Sequence, residues 1–100
     1  MFARVTTFRG YLQDLDPAIV VAREQIVPRL EQHHGFEGVM LIVDRVGENG
    51  LAISLWKNEE DLADSDDEER QLMEGAARAF EVTADVRNGE VLYSSTGSGP

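Results

Sequence analysis

The chain has 100 residues and carries 19 acidic against 9 basic side chains, a formal net charge of −10. That balance argues against nucleic acid and anionic membrane surfaces as partners, since both need a basic face. Cysteine is absent, which removes disulfides, thiolate nucleophiles and cysteine metal sites, and a chain of this size forms one domain burying roughly 60–70 % of its unfolded surface.

Phe2 to Arg9 alternates, with Phe2, Arg4, Thr6 and Phe8 on one face and Ala3, Val5 and Thr7 on the other. The period of two and the β-branched and aromatic content predict a strand. Residues 10–15 read as a loop. Asp16-Pro17 then signals a helix start, a carboxylate cap followed by a proline at the first helical position. The helix is expected from about Pro17 to Gln32, with Ile19, Ala22, Ile26 and Leu30 as the inner stripe, broadened by Val20 and Val27. Pro28 removes a donor and predicts a kink near Glu24. His33-His34-Gly35 reads as the helix end.

Val39-Met40-Leu41-Ile42-Val43 is apolar at five successive positions, so both faces of this strand need cover. Gly47-Glu48-Asn49-Gly50 turns the chain and Leu51 to Trp56 returns, an Asn-Gly hairpin signal. One face of the hairpin carries Met40, Ile42, Asp44, Leu51, Ile53 and Leu55, and looks like packing against helices. The other carries Val39, Leu41, Val43, Arg45, Ala52, Ser54 and Trp56, a mixture suited to a partly filled cavity or an interface. Asn58 caps a second helix opening with Glu59-Glu60-Asp61. Ser65 and Glu68 form a second capping box, so a break is expected near Ser65 before the helix continues to Phe80. Leu72, Met73, Ala76, Ala77 and Phe80 should face inward. Val82, Ala84 and Val86 alternate, and Val91-Leu92-Tyr93 is again strand-like. Asn88-Gly89 between them is either a bulge or a tight hairpin.

The order is β-α-β-β-α-β, the ferredoxin-like α+β arrangement with an antiparallel four-stranded sheet. One domain is expected over residues 1–95, with a flexible polar tail at 96–100. Helices on one side leave the other sheet face bare, and a bare apolar face of this size marks an interface. A homodimer through the sheet faces would cover it.

MFARVTTF at the start, VPRLEQHHGFEGVMLIVDR in the middle and LWKNEEDLADS after the second hairpin strand resemble the antibiotic-biosynthesis-monooxygenase-like family of the dimeric α+β barrel superfamily. Gly35 to Gly38 (Gly-Phe-x-Gly) and Trp56 followed by acids to Asp61 are the more specific parts. The resemblance implies a homodimeric barrel with a small-molecule pocket in each subunit. Members of the superfamily include cofactor-independent oxygenases of aromatic polyketides and haem-degrading enzymes. By that resemblance Trp56 lines the pocket. The polyketide oxidisers carry an asparagine four residues before this tryptophan and a tyrosine six after it; here these positions are Ala52 and Leu62. The haem degraders place a histidine on the second helix, and Asn58 to Phe80 contains none.

The ligand-binding candidates are Trp56, Arg4, Thr6, Ser54, Phe2 and His34, with no catalytic set assigned. Arg4, in a strand flanked on both sides, needs a partner such as Asp44 or Asp85, or a bound anion. Thr6 and Ser54 could orient a ligand or fill a polar seam. Trp56 falls at the same sheet end as Phe2, His34 and the cap of the second helix, where a planar aromatic could lie against the indole. His33 and His34 are neighbours that diverge around the helix, so capping suits one of them better than metal binding. The acidic run Asp61 to Glu69 lacks the glycine-turned spacing of a calcium loop and reads as a solvated face. No metal and no cofactor are expected. No apolar run approaches the ~20 residues of a membrane span, and the expected location is the cytoplasm. Two functions follow: a barrel that binds a small aromatic or apolar ligand without the family's catalytic set, or an active cofactor-independent monooxygenase oxidising a polyketide- or quinol-like substrate with dioxygen. Whether the pocket lies between sheet and helices or in the barrel lumen stays open at this level.

Overall fold

The computed structural model describes residues 1–11, 15–44 and 49–95. Strand β1 (Phe2–Arg9) leads to helix α1 (Leu15–Val21), which passes through a π turn (Ala22–Ile26) into α2 (Val27–Leu30). Strands β2 (Phe36–Asp44) and β3 (Asn49–Trp56), helix α3 (Glu59–Ala79) and β4 (Thr83–Glu90) complete the β-α-β-β-α-β order. The sheet runs β2-β3-β1-β4 with every neighbour antiparallel, the expected ferredoxin-like α+β fold. Among the described residues no helix is long and apolar enough to cross a membrane.

Pro28 acts as its chemistry dictates. Without an N–H it cannot bond the carbonyl of Glu24, and the helix takes its π turn over Ala22–Ile26 at that point. The helix itself starts at Leu15, before Asp16 and Pro17, so Asp16 is a first-turn acid rather than the cap. The loop residues 12–14 lie outside the described residues. Gly35 follows the helix with φ +81°, and a Cβ there would collide with the Asp61 carboxylate, so only glycine fits. Gly38, with φ +149°, sits at a register shift in β2 that places Phe36 opposite Trp56.

Three expectations about local structure are corrected. Asn49 pairs with Asp44 and Gly50 with Val43, so Asn-Gly belongs to β3 and the connection is the stretch 45–48, outside the described residues. Helix α3 runs unbroken from Glu59 to Ala79, because the Ser65 hydroxyl donates to the Leu62 carbonyl within the helix (2.9 Å) instead of capping a new one. Asn88 and Gly89 stay in register with Arg4 and Ala3, neither bulge nor hairpin, and β4 ends at Glu90. Beyond it the Val91 N–H donates to the Met1 carbonyl (2.9 Å), whereas Leu92 and Tyr93 are exposed. The flexible tail expected at 96–100 lies outside the described residues.

The largest correction concerns which face of the sheet the helices cover. Ala52, Ser54 and Trp56 are buried on the helix side, and Ile26, Leu30, Leu62 and Met73 pack with Trp56 and Ala52 into the core. Met40 and Ile42 are exposed on the opposite side, in register with Ile53 and Leu51 respectively, which pair onward with Val5 and Thr7 of β1. The more aliphatic face is therefore the uncovered one. Asp85 and Arg87 of β4, paired with Thr7 and Val5, form its charged rim.

Candidate functional site

The helix-facing side of the sheet divides into two unlike halves. At the end formed by the start of β1 and the end of β3, Arg4 is fully buried and each nitrogen of its guanidinium donates a hydrogen bond. Nε donates to Asn88 Oδ1 (3.1 Å), and Nη1 to Ser65 Oγ (3.0 Å) and Glu69 Oε1 (2.6 Å). Nη2 donates to the Leu62 carbonyl (2.6 Å) and pairs with Asp66 Oδ1 (3.2 Å). The ion-pair partners are thus on α3, not Asp44 or Asp85; Asp85 lies on the bare face beside Arg87.

Ser54 Oγ donates to the same Glu69 oxygen (2.8 Å) and accepts from Trp56 Nε1 (2.9 Å), which links the indole to the ion pair. Phe36 meets the Trp56 ring edge-on at 5.4 Å and His33 at 6.2 Å. Burial pushes the Glu69 carboxyl above its ordinary value against the opposing hydrogen bond from Ser54 and the charge of Arg4. At Asp66 burial also acts upward, but hydrogen bonds from Arg70 and Asn88 and the charges of Arg4 and Arg70 outweigh it and hold the carboxyl low. The hydrogen bond from His33, chiefly, lowers Glu68.

Toward the other end of the sheet the same face is hollow. A cavity of about 620 Å³ lies between sheet and helices, walled by Phe8, Val39, Leu41, Val43 and Ala52 below, and by helix residues such as Ala18, Ile19 and Ile26 above. Met73, Ala76 and Phe80 of α3 close one side. The N-terminal half of the first helix stands off: α1 has no buried residue, and Ile19 and Val20 of the predicted inner stripe remain exposed. The cavity reading of the mixed hairpin face is therefore borne out, and the cavity lies within one chain.

None of the six sequence candidates lines this cavity. Arg4, Ser54 and Trp56 are brought together in the buried cluster, and Phe2 packs against the core from β1. Thr6 is buried opposite Ala52, with no partner for Oγ1 among the described residues. His34 is exposed and its Nδ1 lies 3.1 Å from Asp61 Oδ1, while His33 Nε2 lies 2.7 Å from Glu68 Oε1. The two histidines clasp α3 instead of capping their own helix. The acidic run is likewise not all solvated, because Asp61, Ser65 and Glu69 are buried at helical spacing. Among the described residues no group of three or more His, Asp or Glu is placed to hold a metal ion. Sequence reasoning named the hairpin half of the cavity wall only as a face and missed Arg23, whose spacing from Ile19 and Ile26 was the available signal.

No protein-family model matches the chain. Among curated proteins it is 29 % identical over 91 residues to the uncharacterized proteins Rv2557 and Rv2558 of Mycobacterium tuberculosis (strain ATCC 25618 / H37Rv). The alignment covers 91 % of this chain but only 41 % and 39 % of theirs, so the chain spans about two fifths of the length of these relatives. Among solved structures it is similar to SnoaB, a cofactor-independent oxygenase from Streptomyces nogalater, at TM-score 0.69 and 17 % identity, covering 93 % of this chain and 94 % of that one. The ActVA-Orf6 monooxygenase of Streptomyces coelicolor, in complex with nanaomycin D, gives 0.67 and 16 %, covering 93 % and 92 %. MhuD with two manganese protoporphyrin IX bound per active site gives 0.61 and 16 %, covering 97 % and 100 %. An antibiotic biosynthesis monooxygenase gives 0.64 and 14 %, covering 93 % and 100 %, and with the element and strand orders described above these likenesses show that the chain has the ferredoxin-like α+β fold of the antibiotic biosynthesis monooxygenases.

Proposed function

We propose that this chain forms a homodimeric α+β barrel and binds a small aromatic or otherwise apolar ligand in the cavity between sheet and helices. One observation carries the reading: a cavity of about 620 Å³ whose lining, among the described residues, is apolar except for Arg23. Small-molecule sites typically measure about 300–1,000 Å³ and are walled mainly by apolar side chains. In this reading Arg4, Ser54 and Trp56 hold the packed end rigid, so that Ala52 and Met73 present a fixed wall to the ligand.

Phenylnaphthylamine, an uncharged aromatic that fluoresces in apolar surroundings, tests the site. It should bind saturably to the wild type. Ala18→Trp, which places an indole where the cavity lies, should abolish binding while the fold is retained. Equal binding to both proteins would contradict the reading.

The homodimer rests on the uncovered face of Met40, Ile42, Leu51, Ile53 and Leu55. Light scattering should give about twice the 11.1 kDa chain mass, and Ile53→Asp should split the dimer by burying an unpaired charge. Leu41, by contrast, lines the cavity and does not report on that interface. A monomeric wild type would refute the dimer.

A second reading, a cofactor-independent monooxygenase, is favoured by the likeness to SnoaB and the ActVA-Orf6 enzyme. In it the cavity supplies desolvation and orientation to an aromatic that reacts with dioxygen. The described lining contains no His, Asp, Glu or Tyr to act as a general base, which is why binding is placed first. Strong oxygen uptake with a polyketide-like phenol, abolished by Ala18→Trp, would reverse that order.

A further inference from the structure

Arg23 is the one charged side chain among the described residues lining the cavity. Ile19, Arg23 and Ile26 of the first helix all line the cavity. An arginine thus stands at the exposed rim of the cavity between two lining isoleucines. The π turn carries three lining residues, Ala22, Arg23 and Ile26, and π turns occur frequently at functional sites.

Among the described residues Arg23 is also poorly neutralised. Its ion pair is with its chain neighbour Glu24 at 4.0 Å, and the two side chains are 66 % and 63 % exposed. A pair of that kind contributes little. Among the described residues the lining offers it no carboxylate. A planar guanidinium at the rim of an apolar hollow matches an oxyanion on an otherwise apolar body.

We propose that Arg23 determines the specificity of this site and that its ligand is an amphiphilic anion, with an apolar ring system in the cavity and a carboxylate- or sulfonate-type oxyanion held at the rim. The inference rests on the cavity being a ligand site and adds the charge of the ligand. The competing account is a surface arginine that lays its stem on apolar surface and keeps its head in water.

Two aromatic probes of similar shape separate these accounts: anionic anilinonaphthalene sulfonate and uncharged phenylnaphthylamine, each counted only for the binding that Ala18→Trp removes. Arg23→Gln should weaken the anionic probe about three- to fivefold, the scale of a solvent-exposed charge pair, and leave the uncharged probe unchanged. Arg23→Lys should retain part of the preference, because the charge survives while the fork is lost. If the uncharged probe binds in the cavity and Arg23→Gln affects neither probe, or both equally, the inference is overturned and the cavity reading stands. If neither probe binds in the cavity of the wild type, both are overturned.

Discussion

The two halves of one sheet face solve the same covering problem in opposite ways. At the end around Arg4, Ser54 and Trp56, α3 closes down until a guanidinium, a carboxylate and an indole are fully buried and mutually hydrogen bonded. At the end around Phe8, Val43 and Ala52, the wall is apolar, yet α1 stands away and leaves a hollow. Polar side chains thus line the tightly packed half and apolar ones the half left open. A charge cannot stay buried without partners at hydrogen-bond distance, so Arg4 draws α3 close, whereas apolar walls impose no such distance and can face a ligand instead.

The comparison predicts unequal responses to mutation. Arg4→Ala leaves Glu69 buried without its charge partner and should cost about 3–5 kcal/mol in urea unfolding; a loss below about 1 kcal/mol would mean that the cluster does not hold the packed end. A smaller effect is expected in the pH dependence. The folded protein keeps the Glu69 proton longer than the unfolded chain, so this group's contribution is fully present below its ordinary 4.5 and is lost as pH rises through the folded value. Glu68 and Asp66, both held low, act in the other direction, stabilising above 4.5 and 3.8 respectively and ceasing to do so as pH falls. Glu69→Gln removes the first contribution alone, so its stability should no longer decline above pH 4.5 as the wild type's does. An unchanged slope would contradict the assignment. The smallest effect belongs to the hollow half. Ala18→Trp should shift stability by less than about 1 kcal/mol, because it fills space instead of displacing packed atoms.

Much of this was legible in the chain. The alternation of Phe2 to Arg9 and the Asn58 cap (its side chain accepts from the Asp61 N–H at 2.8 Å) fell where the sequence placed them, whereas the first helix ends at Leu30, short of the expected Gln32 and of Gly35. The fold and the β-α-β-β-α-β order of its elements followed from such local signals. The covered face did not, since the hairpin is apolar on both sides and periodicity tells that two faces need cover without telling what covers each. Met40, Ile42, Ile53 and Leu55 made the better-looking core and turned out bare. The stripe Asp61, Ser65, Glu69, Met73 and Ala77 was hidden for another reason. Its spacing is helical, but its first half is polar, and only Arg4, 65 residues away from Glu69 in sequence, makes that half buriable. Long-range pairing of this kind leaves no local mark.

The central claim is that the hollow half is where a ligand goes. Methyl NMR of the protein titrated with phenylnaphthylamine tests it most directly, because cavity and bare face both carry methyl groups. The account predicts saturable shifts at Ala18, Ile19, Ile26, Val43 and Ala52, which line the cavity, with Met40, Ile53 and Leu55 undisturbed. Shifts confined to Met40, Ile53 and Leu55 would contradict it and make the cavity an unused void.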